Sequence, residues 1–322
     1  MPLTTDEKML ELSRRALEAF DKVDHGPHPG FRAAHAKGVL LTGTFAPAPE
    51  AKELSRAAHL QRSVPVTVRF SDFAGIPMVA DNDPQIASPR GCAVRFHLDE
   101  HKHTDIVSHS VDSFPARTTE EFVDFLNAVI ATDPAGPHPN AIEQFLGTHP
   151  AALAFVQAPK PIPASFAHES FFSVSAFKFT NAQGASAFGR YRLLPAGGNR
   201  YLDDAAAAAK SADFLMEEIQ QRLAKEPVKF LLRVQLAEDD DVTDDATVRW
   251  PESRRQINLG EIALTAVAAN NTAEQQQIIF DPIPRVDGIE ASADPLFEPR
   301  ANVYLMSGRR RREAAKSASA AD

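Results

Sequence analysis

The chain has 322 residues, 43% of them hydrophobic and 24% charged, with a net charge of −9. That is ordinary globular composition, long enough to bury a sizeable core in one large domain or two smaller ones. The acidic balance argues against a wholly basic nucleic-acid binder. The single Cys92 excludes an intrachain disulfide and suits a reducing, cytoplasmic setting. No eighteen-residue apolar run is present, so no membrane-spanning helix is expected, and the mixed N-terminus does not read as a secretory signal.

In residues 5–23, Met9, Leu12, Ala16, Phe20 and Val23 recur at three- and four-residue steps, which predicts an amphipathic helix with Thr5 at its start. Its apolar stripe should dock on the main body or on a second copy, which makes a homodimer possible. Short β-like runs follow at 39–45, 64–70, 92–98, 173–180, 187–194, 228–236 and 257–264. In the second of these, Val66, Val68 and Phe70 face one way, and Thr67, Arg69 and Ser71 the other.

Helices interrupt the strands. Thr118 and Glu121 form a capping-box pattern for a helix running to about Ala131. Asn140 could cap a second helix, and a third follows Asp203 and ends before Pro227. The NAQG stretch at 181–184 reads as a hairpin turn. Many antiparallel strands of this kind predict an α+β fold, an antiparallel β-barrel with helices packed outside and a ligand cavity enclosed. We divide the chain into a helical extension at 1–25, a barrel domain at 26–312 and a disordered tail at 313–322. Taken alone, the run Arg309 to Arg312 before that tail is a solvated basic patch.

Eleven histidines are candidates for chemistry, and His97, His101, His103 and His109 fall close together. Spacing of that kind can build a metal site, but His101 and His103 sit in a polar DEHKHTD turn, which favours a solvated loop. His35 lies just before a strand, three residues after Arg32. It is either a structural hydrogen-bonder or a general acid–base facing a cavity. Ser71 could orient such an imidazole through one ring nitrogen and leave the other free. Tyr304 follows Arg300 by four residues, so a helix would place both on one face. A guanidinium there stabilises a phenolate, and a phenolate can ligate haem iron.

These pieces occur in order within RAAHAKG (32–38), VRFSDFAG (68–75), DNDPQIASPRGCAVRFHL (81–98), TDIVSHSVDSFPARTTEEFVDFL (104–126), DATVRWP (245–251) and DPLFEPRANVYLMSGRRRR (294–312). The sequence resembles the haem catalases, specifically the small catalase-related peroxidases that keep the barrel and lose the outer domains. The resemblance implies haem b as cofactor, with Tyr304 as the iron ligand and Arg300 keeping it deprotonated. It implies that His35 moves the peroxide proton and that Ser71 holds its ring. Arg32, Arg69 and Arg311 match arginines that pair with the haem propionates, and Phe122 matches an aromatic that packs on the porphyrin. Part of the arginine run then contacts haem.

The sequence departs from the family where catalases carry a distal asparagine: His109 occupies that place. The implied activity is therefore reduction of hydrogen peroxide or an organic hydroperoxide by an organic one-electron donor, with weak or no catalase activity. Two alternatives stay open. One is rearrangement of a hydroperoxide, as in catalase-like allene oxide synthases. The other is a haem-binding barrel without enzymatic activity.

Overall fold

A computed structural model describes residues 3–319, with backbone only at 318 and 319. Its strands are β1 (Gly38–Pro47), β2 (Val64–Ser71), β3 (Gly91–Asp99), β4 (Lys102–His109), β5 (Phe171–Phe172), β6 (Phe177–Thr180), β7 (Ser186–Pro195), β8 (Val228–Leu236), β9 (Gln256–Val267) and β10 (Ile289–Ala291). Antiparallel pairing runs β7-β5-β4-β3-β2-β1-β9-β8, and β8 pairs back onto β7. The sheet thus closes into an eight-stranded barrel, with β6 and β10 appended at β7.

Alternation in β2 sets the two faces of the wall. Val66, Val68 and Phe70 join the central apolar cluster, and Arg69 and Ser71 point outward, as the pleat requires. Phe70, Phe171 and Phe230, from three separated strands, meet one another in the central apolar cluster, and Phe70 also stacks on Phe166 at 5.2 Å between ring centroids. An eight-stranded lumen is just wide enough for side chains to fill, and these phenylalanines fill it. The expected cavity is therefore not inside the barrel. It lies on the outer face, where Ser71, Gly91 and Ala93 leave space beneath a roof of helices.

The helices are α1 (Glu7–Val23), α2 (Ala51–Leu54), α3 (Thr119–Ile130), α4 (Ala141–Thr148), α5 (Pro150–Gln157), α6 (Asp204–Ala208), α7 (Phe214–Leu223), α8 (Asn271–Gln277) and α9 (Phe297–Ser319). Asp6, not Thr5, caps α1, its carboxylate accepting from the Lys8 and Met9 amides. The α1 stripe docks within the chain: Ala16 and Leu17 pack with Val123 of α3 and with Val303 and Tyr304 of α9. Thr118 and Asn140 cap α3 and α4 as expected. The helix expected after Asp203 breaks at Ala209–Asp213 into α6 and α7.

The helix α9 also continues past Glu313 to Ser319, so the part of the expected tail that is described is helical. Residues 320–322 lie outside the described residues. Among those described, no helix is long and apolar enough to cross a membrane.

Candidate active site

A cavity of about 700 Å³ lies between the outer face of β2–β4 and helices α1, α3 and α9. All nine residues that the family resemblance places at the site line it: Arg32, His35, Arg69, Ser71, His109, Phe122, Arg300, Tyr304 and Arg311. They come from segments almost three hundred residues apart in sequence, brought together by the pairing of β2, β3 and β4 and by the α9 roof.

His35 sits in the left-handed region, φ 57°, a conformation that non-glycine residues rarely adopt. Its backbone amide donates to the Phe73 carbonyl at 2.7 Å. Its Nδ1 lies 2.9 Å from the Asp72 carbonyl and 3.1 Å from Ser71 Oγ. A carbonyl only accepts, so Nδ1 carries the proton and Nε2 keeps a bare lone pair. Burial, then the charge of Arg69, pushes the imidazole pKa down to about 3, with smaller contributions from Arg32 and Arg300. The ring is neutral and basic at Nε2.

Behind His35 the backbone is held by buried charge. Asp72 pairs with Arg90, and both side chains are fully buried. Arg90 also donates to the Asp81 carbonyl, and Asp81 takes an ion pair from Lys37 at 2.6 Å. Burial holds the Asp72 carboxyl above its ordinary range. Gly91, paired with Ser71 on one side and His109 on the other, completes the fit. A Cβ there would lie 2.6 Å from Ser71 Oγ and 2.7 Å from His35 Nδ1, so the imidazole occupies the space a side chain would take.

His109 ends β4 on the same wall. The Val111 amide donates to its Nδ1 at 3.3 Å, which places the proton on Nε2. That Nε2 is buried without a partner. Burial, then Arg300 and His35, lowers its pKa to about 3. His109 is therefore a cavity residue and not a surface one. His101 is exposed in the β3–β4 turn, and His97 hydrogen-bonds Thr67 Oγ1 at 2.9 Å. Neither they nor His103 line the cavity. Among the described residues no cluster of His, Cys, Asp or Glu is fit to hold a metal ion.

Helix α9 contributes one face. Arg300, Tyr304, Ser307 and Arg311 all line the cavity, at the four-, three- and four-residue steps of a single helical stripe. Arg300 Nη2 donates to the Tyr304 hydroxyl at 3.3 Å. The same periodicity divides the arginine run. Arg309 is exposed, Arg310 forms a bidentate pair with Asp21 of α1, Arg311 is buried at the cavity and Arg312 grips the Gln277 carbonyl.

Three guanidiniums converge at one end without a carboxylate among them. Arg32 and Arg311 both donate to the Ile278 carbonyl, at 3.1 and 2.7 Å, and Arg311 also to Gln276. Arg69 is held by Gln275 Oε1 at 2.8 Å and by the Ala36 carbonyl. Burial, then mutual repulsion, lowers the pKa of Arg32 and Arg69, the latter to about 9. Burial lowers Arg311 to about 10, with the charge of Arg312 adding to it. Buried cations need an anionic partner, and among the described residues these three make no ion pair. The two carboxylates of a haem meet that need, and the Tyr304 hydroxyl and the orphaned His109 Nε2 face the same space. The residues present fit the group.

Sequence reasoning did not find Gln275, the α8 carbonyls, Asp72–Arg90 or Gly91. Gly91 and Arg90 sit inside a quoted motif. The α8 clamp acts through backbone oxygens, which carry no residue-type signal.

A family model described as Catalase matches residues 14–317. The chain is 36% identical over 286 residues to the catalase-related peroxidase of Mycolicibacterium paratuberculosis, covering 88% of this chain and 89% of that one. It is 31% identical to the catalase-related peroxidase of Synechococcus elongatus, with coverage of 88% and 84%. Its fold matches catalase A of Saccharomyces cerevisiae with a TM-score of 0.77 at 21% identity, over 92% of this chain and 64% of that catalase, just under two thirds of its length.

Proposed function

The chain belongs to the catalase family, and we propose that it is a haem peroxidase that reduces a peroxide at the expense of an organic electron donor. The observation that carries this reading is the α9 stripe, in which a tyrosine hydroxyl held by Arg300 shares one cavity wall with Arg311, which makes no ion pair among the described residues. Near-full-length similarity to two catalase-related peroxidases supports it. Haem b as the form of the cofactor and a cytoplasmic setting belong to the proposal. The first rests on the family pattern around Tyr304, the second on the lone, buried Cys92.

Tyr304 would hold the iron through its phenolate, which Arg300 stabilises. Arg32, Arg69 and Arg311 would take the two propionates, and Phe122 would pack on the ring. When bound, the haem supplies the redox-active iron at which the peroxide reacts. The protein's own part is proton handling. His35 Nε2 takes the proton from one peroxide oxygen and returns it to the other, so that water leaves. Ser71 and the Asp72 carbonyl keep the imidazole in the tautomer that makes this possible. His109 Nε2–H donates a hydrogen bond to the peroxide and, being neutral, is neither gained nor lost as an acid near pH 7. The purified protein should show a Soret band and, with hydrogen peroxide, oxidise a phenolic dye. A haem-loaded protein that oxidises no donor would overturn the reading.

A further inference from the structure

The chain has four readily oxidised aromatic side chains, three tyrosines and one tryptophan. Tyr304 faces the cavity. Tyr191 is buried in the apolar core against Phe177 and Phe179. Trp250 is buried under the Arg190 guanidinium, 4.3 Å from its ring centroid, and a fixed positive charge there opposes loss of an electron from the indole. Tyr201 alone is open to solvent, 43% exposed.

The Tyr201 hydroxyl is set up to lose a proton. Ser170 Oγ donates to Asn199 Oδ1 at 2.8 Å, which turns the Asn199 amide so that Nδ2 donates to the Tyr201 oxygen at 3.1 Å. An amide nitrogen only donates, so the phenol proton points at Glu169 Oε1, 3.0 Å away. Glu169 is buried. Burial, offset in part by the bonds from Tyr201 and Ser170, raises its pKa to about 7, so it is a stronger base than an ordinary carboxylate. Burying a carboxylate costs free energy, and the segment around Tyr201 does not need it as a fastening. The Arg200 amide already donates to the His168 carbonyl at 3.2 Å, the Ala164 amide to Arg200 at 2.9 Å and the Leu202 amide to Ile162 at 2.9 Å.

The same carboxylate is tied to the cavity wall through the backbone. Three residues further on, Phe172 of β5 stands directly across the β4–β5 ladder from His109. Three residues span at most about 11 Å, and partners in an antiparallel pair lie about 5 Å apart. An electron tunnels through protein over such a separation without a bonded path. A proton does not, which is why an oxidisable phenol needs its acceptor in contact.

We propose that Tyr201 is a surface site of donor oxidation, at which a phenolic donor too large for the cavity delivers its electron to the enzyme. An electron leaves the Tyr201 phenol inward, to the oxidising equivalents that peroxide reduction leaves at the haem, and the phenol proton moves to Glu169. The phenoxyl radical so formed takes an electron from the external phenol, and the Glu169 proton returns to it. The external phenol gives its own proton to water and departs as a radical. This role rests on the peroxidase reading, which supplies the oxidant.

The test compares free phenol with the same phenol coupled through a short tether to dextran, each with hydrogen peroxide and haem-loaded protein. Wild type should oxidise both. Tyr201→Phe should oxidise the dextran-bound phenol about tenfold more slowly or worse, with less than a twofold change for free phenol. Glu169→Gln, which keeps a hydrogen-bond acceptor but removes the base, should lose the bound donor to the same extent. Failure of wild type to oxidise the bound phenol, no loss in Tyr201→Phe, or equal loss of both donors, the mark of a structural role, overturns the proposal. Failure of wild type to oxidise even free phenol strikes the peroxidase reading instead, and with it the oxidant. A readout independent of turnover is photo-oxidation of the protein by tris(bipyridine)ruthenium and persulfate, followed by electron paramagnetic resonance. The tyrosyl signal should vanish in Tyr201→Phe and weaken in Glu169→Gln. A signal unchanged in both variants shows that Tyr201 is not the oxidisable site.

Discussion

His35 and His109 offer opposite hydrogen-bonding faces to one cavity: His35 donates through Nδ1 to the Asp72 carbonyl and His109 accepts at Nδ1 from the Val111 amide. One ring therefore presents a bare Nε2 and the other an Nε2–H. A peroxide has both a proton to give and lone pairs to be hydrogen-bonded, and the pair matches it without either ring being charged.

Catalysis should depend on His35 and not on the turn histidines. Positioned acid–base groups contribute about a hundredfold to ten-thousandfold in rate. His35→Ala is expected to keep haem and lose peroxide reactivity on that scale, while His101→Ala and His103→Ala change little. Equal rates of peroxide reaction in all three variants would remove His35 from the mechanism.

The pH profile follows from the same burial. With a folded pKa of about 3, His35 gains its proton only well below its ordinary value, so its basic form persists down to about pH 4. The rate constant for reaction with hydrogen peroxide should accordingly show no histidine ionisation between about pH 5 and 8. An acid limb centred near the ordinary histidine value, and abolished by His35→Gln, would contradict a buried neutral base.

Gly91→Ala is a purely steric probe. The added methyl would stand 2.6 Å from Ser71 Oγ and 2.7 Å from His35 Nδ1, too close for either to stay where it is. Displacement of a reacting group by about 1 Å can cost about a hundredfold, so peroxide reactivity should fall on that order while haem content is retained. Wild-type rates in this variant would mean that the imidazole is not held where the structure places it.

Tyr304→Phe should lose most bound haem or shift its Soret band. Arg300→Ala, which removes the charge favouring the phenolate, should hold haem less firmly as the pH is lowered. Absorption spectra of the two variants across mildly acidic pH are the check. Wild-type spectra and haem retention in Tyr304→Phe would exclude it as the iron ligand.

The parts legible in the sequence are those that periodicity carries. Arg300 and Tyr304 share a face because four residues make about one helical turn, and Arg69 and Ser71 share one because the pleat alternates. The relation of His109 to His35 was visible only as a position in a family pattern. Its tautomer depends on the Val111 amide, which no side-chain spacing encodes. β5, two residues long, leaves no periodic trace, yet it joins β4 to β7 and closes the barrel. The cavity was expected inside the barrel because nothing in any single strand reveals that Phe70, Phe171 and Phe230 meet in its lumen. Taken alone the arginine run reads as a solvated patch, and only the resemblance assigns Arg311 to the haem; α9 sets the four residues about 100° apart, one to solvent, one to Asp21, one to the cavity and one to α8.

The peroxidase reading itself is tested most directly by measuring oxygen evolution and donor oxidation on the same purified, haem-loaded protein, wild type beside His109→Asn. Where catalases carry an asparagine, this chain has an imidazole whose Nε2–H is unpartnered, a bulkier donor that leaves less room to orient a second peroxide. Wild type should release oxygen weakly from hydrogen peroxide while oxidising an aromatic donor readily, and His109→Asn should raise the ratio of oxygen release to donor oxidation. Vigorous oxygen release by the wild type, at rates far above its donor oxidation, would contradict the account and make the protein a true catalase.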